Sequence, residues 1–503
     1  MLAMAHASTL VGLEALPVQV EVDIARGLPA FDLVGLPEAS VRESRMRVRS
    51  ALEQVGFPLP TRRVTVNLAP ADVRKYGAGF DLAIAMATLA AAKESPEDLL
   101  KDWLLVGELS LTGALRPVRG VLAKVLCARK RGLRGAIVPT ENAAEAAVVS
   151  GIEVRAAATL AEVVAFFQGN FALPSAEYVR DTSPDAAIID LADVRGQHAA
   201  RRALEISAAG SHNVLLIGPP GGGKTLLART MPGILPPLTF DESVEVTSIY
   251  SVAGMLPPGI SLIERRPYRH PHHSASMVGI VGGGDPPRPG EIALAHHGVL
   301  FLDELPEFSR ESLEALREPL EDGTVTIVRA RVRTTFPARF TLISAMNPCP
   351  CGYQGDPSDR CECSDERVRR YRSRVSGPLM DRIDLFVHLP SSSPMVYNEA
   401  PDGPSSSEVR ARVIAARERQ FARGPNGNEP NGRLSPKALR EVAALSQDAR
   451  SLLHTAAERM GMSARAMTRV LRVARTIADI EGEESVRMAH VAEAIGYRSF
   501  NGE

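Results

Sequence analysis

The chain has 503 residues, 45% of them hydrophobic and 23% charged, with a formal net charge of −1. That length predicts two to four domains, and the near-neutral charge excludes a uniformly basic nucleic-acid coat, leaving only local patches for such contact. No apolar run approaches the roughly 20 residues of a membrane span, the N-terminus lacks a basic leader, and the five cysteines do not form a secreted disulfide pattern, so a cytoplasmic protein is expected.

Residues 1–170 read as an α+β unit. Val18 to Ile24 alternates like a half-buried strand, Leu36 to Val55 reads as a helix, and Arg63 to Leu68 as a second strand. A glycine-containing loop (Tyr76-Gly77-Ala78-Gly79) then leads into an alanine-rich helix, Phe80 to Ala92. Short strands follow at Trp103 to Gly107 and Ala136 to Val138, with a helix from Val121 to Arg131 between them. The segments Gly107-Glu108-Leu109-Ser110-Leu111-Thr112-Gly113, Arg116-Pro117-Val118-Arg119-Gly120 and Ile137-Val138-Pro139 resemble the peptidase domain of Lon proteases. Those enzymes use a serine and lysine dyad. The matching loop here holds no serine, and the lysine position falls in Arg119-Gly120-Val121-Leu122, with Lys124 beyond it read as a solvated helix lysine. Peptide hydrolysis is therefore not expected; the resemblance implies a Lon-like fold kept for assembly or DNA contact.

Residues 171–187 have the polar, proline-punctuated composition of a linker, and an ATPase domain is expected over 188–390. Val214 to Ile217 reads as a buried strand, followed by the glycine-rich turn Gly218-Pro219-Pro220-Gly221-Gly222-Gly223 and a helix opening at Lys224-Thr225. This is G-x-x-x-x-G-K-T between a strand and a helix, the setting in which backbone amides and a helix N-terminus cradle a triphosphate. Lys224 is then placed for the β- and γ-phosphates of ATP and the Thr225 hydroxyl for Mg²⁺. Upstream, Gln197 is either an adenine-side contact or a surface turn residue. A second apolar strand, Val299 to Leu302, ends in Asp303, suited to Mg²⁺, and Glu304, placed to polarise an attacking water. A third, Phe340 to Ala345, ends near Asn347, which could orient that water beside the γ-phosphate. Three strand ends with complementary phosphate chemistry predict an ATPase.

Between these strands, residues 240–290 form an insertion rich in Gly, Pro and His. Its Arg266-Pro-Tyr-Arg269-His270-Pro-His272-His273-Ser274 run is either a metal site or a loop reaching nucleic acid or a neighbouring subunit. A hairpin at about 324–335 carries Arg329, Arg331 and Arg333 at spacing two, so they track a phosphate backbone or face solvent. Cys349-x-Cys351 and Cys361-x-Cys363 supply four thiols, enough for a structural zinc clip; reduced, inert thiols are the other reading. The arginine run Arg367 to Arg374 is a solvated face or a nucleic-acid contact. Arg382 stands ahead of a terminal apolar strand, where a ring ATPase presents an arginine to its neighbour's γ-phosphate. After a second linker (391–407), residues 408–503 read as a helical lid: Glu408 to Arg423, Ser435 to Ala444, Ser446 to Arg459, Ala464 to Glu481 and Arg487 to Tyr497. Arg465, opening its helix, either reaches back to the nucleotide or is a surface arginine.

The stretches GPPGGGKT, RPYRHPHHSAS, PRPGEIALAHHGVLFLDELPEF, NPCPCGY, SGPLMDRIDL and SARAMTRVLRVARTIADIEG resemble the ComM/YifB family of magnesium-chelatase-like AAA+ ATPases along essentially the whole chain. The resemblance implies a hexameric ring that translocates on single-stranded, forked or branched DNA and migrates branches as incoming DNA is integrated. By motif, it gives Arg382 the arginine-finger place, Asn347 the sensor-1 place and Arg465 the sensor-2 place. A remodelling motor acting on a protein partner is the alternative.

Overall fold

The computed structural model describes residues 2–180, 189–329, 332–355, 360–390, 403–423 and 429–498. It is a mixed α/β protein built on two sheets. In the N-terminal unit, seven strands run in the order Ala30–Val34, Arg63–Ala69, Glu14–Ala25, Leu2–Val11, Trp103–Leu105, Gly135–Pro139 and Glu153–Ala157. The helix Asp81–Ala91 is buried along its whole length, which its run of alanines permits by letting neighbours approach closely. The stretch after this unit is strapped down: Leu173 is buried, Ala176 N donates to the Val154 carbonyl (2.9 Å), and Val179 N to Ser261 Oγ (2.8 Å).

Lys124 departs from its expected solvated setting. It lies on the apolar side of the helix Val121–Lys130, 4% exposed, and its Nζ donates to the Ser8 carbonyl at 2.8 Å. Pro17, opposite Ser8 in the register, brings no N–H to that part of the ladder. Burial pulls the Lys124 ammonium down to about 8.

The second sheet is all parallel, in the order Tyr268–Arg269, Val299–Leu302, Thr341–Met346, Val214–Ile217 and Leu385–His388. Its central strands are buried at every position, as strands covered by helices on both faces must be. The C-terminal helices Ser406–Arg423 and Ala464–Glu481 pack onto His198–Gly210 and Lys224–Ile234, closing one core around Leu227, Val413 and Val473. No helix among the described residues is long and apolar enough to cross a membrane.

The two units are joined by the insertion helix Phe240–Ala253, held at its start by a Thr239/Glu242 capping box. At its far end, Ser251 donates to the buried Glu145 carboxylate, and Gly120 N donates to the Ser251 carbonyl (3.2 Å). The hairpin pairs Thr324–Arg329 with Val332–Pro337, and the buried Thr334 packs against Gly12. Arg333 is exposed, whereas Arg331 and residues 391–402 lie outside the described residues.

Candidate functional site

The phosphate loop lies at the carboxyl end of the Val214–Ile217 strand, which feeds through it into the helix Lys224–Ile234. Gly221 (φ 77°) and Gly223 (φ 82°) hold left-handed conformations that a side chain would strain. Lys224 Nζ donates to the Gly218 and Pro219 carbonyls (2.7 and 2.9 Å) and to Asn347 Oδ1 (3.1 Å). The loop lysine and the predicted sensor asparagine are therefore one hydrogen bond apart, although 123 residues separate them in sequence. Burial holds the Lys224 ammonium below the usual lysine range, against the pull of Asp303 and Glu304.

Thr225 Oγ1 donates to Asp303 Oδ2 at 2.7 Å. A hydroxyl and a carboxylate placed together at a helix N-terminus fit Mg²⁺, which takes oxygen ligands and bridges to phosphates. Glu304 N donates to Asp303 Oδ1 (3.0 Å), and Glu304 itself sits at φ 52°, a left-handed state costing a non-glycine residue about 1–3 kcal/mol. Its exposed carboxylate lies 3.5 Å from His273 Nδ1. Sequence reasoning did not find this contact. Gln197 settles against the loop, its Nε2 donating to the Gly222 and Pro390 carbonyls (3.4 and 3.3 Å).

In front of Glu304 and Asn347 opens a cleft of about 470 Å³ lined by Arg367, Arg370 and Arg374. Part of the arginine run thus faces Glu304 and Asn347, and Arg374 Nη1 donates to Glu307 (2.8 Å).

Arg382 and Arg465 lie elsewhere. They share a cavity of about 400 Å³ with Arg469, Arg472, Asn213 and Glu321. Arg382 is buried, ion-paired with Glu321 at 2.5 Å, and donates to the Pro378 carbonyl at 2.6 Å. Asn213, which donates to the Arg382 carbonyl (2.9 Å), directly precedes the Val214–Ile217 strand. The cavity is therefore at the opposite end of the sheet from Gly218, roughly 16 Å along the strand. Arg465 lines this far cavity rather than its own chain's phosphate loop.

The four clustered cysteines converge. Sγ separations are 3.3 Å (Cys349–Cys351), 3.7 Å (Cys349–Cys361) and 3.6 Å (Cys351–Cys361), and Cys363 completes a group whose ligand atoms all lie within 4.8 Å. Zn–S bonds of about 2.3 Å in a tetrahedron put sulfurs about 3.8 Å apart, so the set fits zinc. The histidine run does not assemble a site: His270 packs on Phe301 (ring centroids 4.7 Å apart), and His272 turns to Ser274 Oγ. A different trio, Glu245, His296 and His297, does come together. There, His296 Nδ1 accepts from Arg339 N (2.9 Å), which fixes the proton on Nε2, donating to Glu245 (2.9 Å). That nitrogen has no lone pair for a metal, and burial keeps the ring neutral, its pKa pulled down to about 4.

Family models match in three blocks: residues 20–142 as "Subunit ChlI of Mg-chelatase", 190–396 as "Magnesium chelatase, subunit ChlI" and 403–498 as "Magnesium chelatase, subunit ChlI C-terminal". The chain is 46% identical over 502 residues to the uncharacterized protein YifB of Salmonella typhimurium, covering 99% of this chain and 97% of that protein. It is 44% identical over 504 residues to the competence protein ComM of Haemophilus influenzae, again covering 99% and 97%. A shorter match, 32% identical over 97 residues, covers 19% of this chain and 11% of the DNA replication licensing factor Mcm6 of Drosophila melanogaster. The chain belongs to the ComM/YifB family of magnesium-chelatase-like AAA+ proteins.

Proposed function

We propose that this protein is an ATP-driven, ring-forming DNA motor that migrates branches as incoming DNA is integrated. The observation that carries the reading is the split of the site between two ends of one sheet. Lys224, Thr225, Asp303, Glu304 and Asn347 stand at one end, and Arg382 and Arg465 at the other. Chains stacked head to tail would bring the arginines of one to the nucleotide of the next, and a head-to-tail contact that closes makes a ring, here a hexamer.

In that composite site, the loop amides and Lys224 bind and orient the phosphates, and Gln197 flanks them. Mg²⁺ held by Thr225 and Asp303 would offset phosphate charge. Glu304 takes a proton from the attacking water, Asn347 orients that water, and the neighbour's Arg382 and Arg465 stabilise the charge that develops. Cys349, Cys351, Cys361 and Cys363 would hold a structural zinc. The N-terminal unit serves as a Lon-like platform without peptidase chemistry: its loop has no serine, and Lys124 is committed to the Ser8 carbonyl.

DNA as the track is supported by the named functions of the relatives and by the arginine-lined cleft and the hairpin bearing Arg333. The test is ATPase rate with and without forked or four-way-junction DNA, with fluorescence-monitored strand exchange. Stimulation and ATP-dependent exchange, both abolished by Lys224→Ala, are expected. A DNA-indifferent ATPase that moves no strand would point instead to a motor that remodels a protein partner.

A further inference from the structure

The four-cysteine clip is wired to the phosphate chemistry from three sides. Cys349 follows Asn347 by two residues, on the loop that leaves the central strand Thr341–Met346. Within the clip, Gly352 N closes a turn onto the Cys349 carbonyl (3.0 Å), and Gln354 N donates to Cys349 Sγ (3.3 Å). Gly352 lies directly on the phosphate loop: at φ 87°, a Cβ there would meet Pro220 Cδ at 2.6 Å and Asn347 Cγ at 3.8 Å. From the other cysteine pair the chain passes through Ser364, which caps the helix Asp365–Arg372. That helix returns to the same loop. Arg372 donates to the Pro348 carbonyl (3.3 Å) and to Gln354 (3.1 Å), and the Tyr371 hydroxyl lies against the Asn347 backbone amide.

Two cysteine pairs from separate segments are thus the ends of a brace around Asn347. Their sulfurs converge at the spacing a tetrahedral zinc imposes, and a soft divalent cation there would neutralise and bridge all four thiolates. Binding would release the thiol protons and lock both segments to one centre.

We propose that zinc in this clip sets the position of Asn347 and of the phosphate-loop segment at Pro220, so that ATP turnover depends on zinc although no sulfur touches the nucleotide. The inference rests on the ATPase and zinc readings above and extends them: the cysteines are positioning residues, not catalytic ones. Zinc loss should lower the rate of the chemical step more than nucleotide affinity, because Asn347 addresses the γ-phosphate end while the loop amides still hold the rest.

The test uses the full chain. Metal analysis after gel filtration should find about one zinc per chain, as a four-sulfur site requires. Cys361→Ser, which leaves Cys349 beside the sensor intact, should lose zinc and lower kcat by about tenfold or more. Affinity for a fluorescent ADP should change by less than about threefold in that variant, since the lost interaction acts on the transition state. Hydrogen exchange supplies a readout independent of turnover: peptides covering 346–354 and 218–224 should both exchange faster in Cys361→Ser. If that variant does not fold, chelation of the wild type followed by Zn²⁺ or Co²⁺ re-addition replaces it, with kcat and exchange expected to recover together. Gly352→Ala should keep its zinc yet lose turnover, because the added methyl pushes on Pro220. Wild type without zinc, or zinc loss that leaves kcat and exchange at 218–224 unchanged, overturns the proposal. A zinc-loaded wild type with no ATPase activity would sink the motor reading, while exchange at 218–224 would still decide the coupling.

Discussion

At the scale of single residues, the site's roles rest on a few contacts that can be broken one at a time. Glu304→Gln keeps the shape of the side chain but removes the base. It should bind ATP with near-wild-type affinity while kcat falls by about a hundredfold or more; retained turnover would take Glu304 out of the base role. His273 Nδ1 lies 3.5 Å from that carboxylate, close enough to compete for it. His273→Ala should free it and raise DNA-independent turnover severalfold with KM unchanged, measured by steady-state ATPase assay. The convergence of Lys224, Thr225, Asp303 and Asn347 was legible because phosphate chemistry ties residue type to strand ends. His273 was not, since no spacing rule connects a loop histidine to a glutamate 31 positions later. Lys124 was misread despite a signal: it sits at i+3 in the stripe Val121, Val125, Ala128, a buried face. Its folded pKa of about 8 lies below the 10.5 of an ordinary lysine, so the unfolded chain binds the extra proton between those values. Stability should therefore rise with pH across that window, by about 3 kcal/mol in all. Lys124→Met should abolish that rise in urea unfolding curves recorded from pH 7 to 10.5.

Among elements, the C-terminal helices were read nearly to the residue, and Ala464–Glu481 matches its expected bounds. Serine caps and a glycine stop mark both ends of such helices in the sequence itself. The strand Leu2–Val11 escaped because its alanines and histidine carry little strand propensity; it is made a strand by pairing with Glu14–Ala25 across the Gly12-Leu13 turn. No local pattern could announce that the insertion helix Phe240–Ala253 docks on the N-terminal unit. That junction centres on Glu145, whose carboxylate accepts from Ser251, Asn142 (2.7 Å) and Leu122 N (3.3 Å) in a buried setting. Glu145→Ala would take the acceptor from Ser251 and Leu122 N and leave Asn142 Nδ2 with the Val118 carbonyl alone (3.0 Å), and should destabilise the protein by about 2–3 kcal/mol in denaturant unfolding. A change under about 0.5 kcal/mol would show that water replaces the carboxylate at no net cost.

For the whole molecule, the order of the motifs could not reveal which end of the sheet each arginine occupies. The expectation that Arg465 closes over its own nucleotide gives way to a cavity shared with Arg382 at the far end, because the helices carrying it stack beside Asn213 rather than above Gly218. This separation is testable by mixing. Lys224→Ala and Arg382→Ala chains should each be inactive, yet an equal mixture should recover about a quarter of wild-type turnover, the fraction of junctions where an intact loop meets an intact arginine. No recovery, with mixed assembly verified by gel filtration, would place Arg382 in its own chain's site.

If Arg382 and Arg465 serve a neighbour's nucleotide, as proposed, their place a sheet's length from Lys224 gives the chain a built-in idle stop. On this reading, a lone subunit can hold fuel without burning it, and specific activity should climb with protein concentration until assembly saturates. An open chain of subunits always leaves one fuel site unserved at its end, so closing the circle is itself the final activating event. A cell could therefore store the machine dispersed and charged, and start it simply by gathering copies in one place.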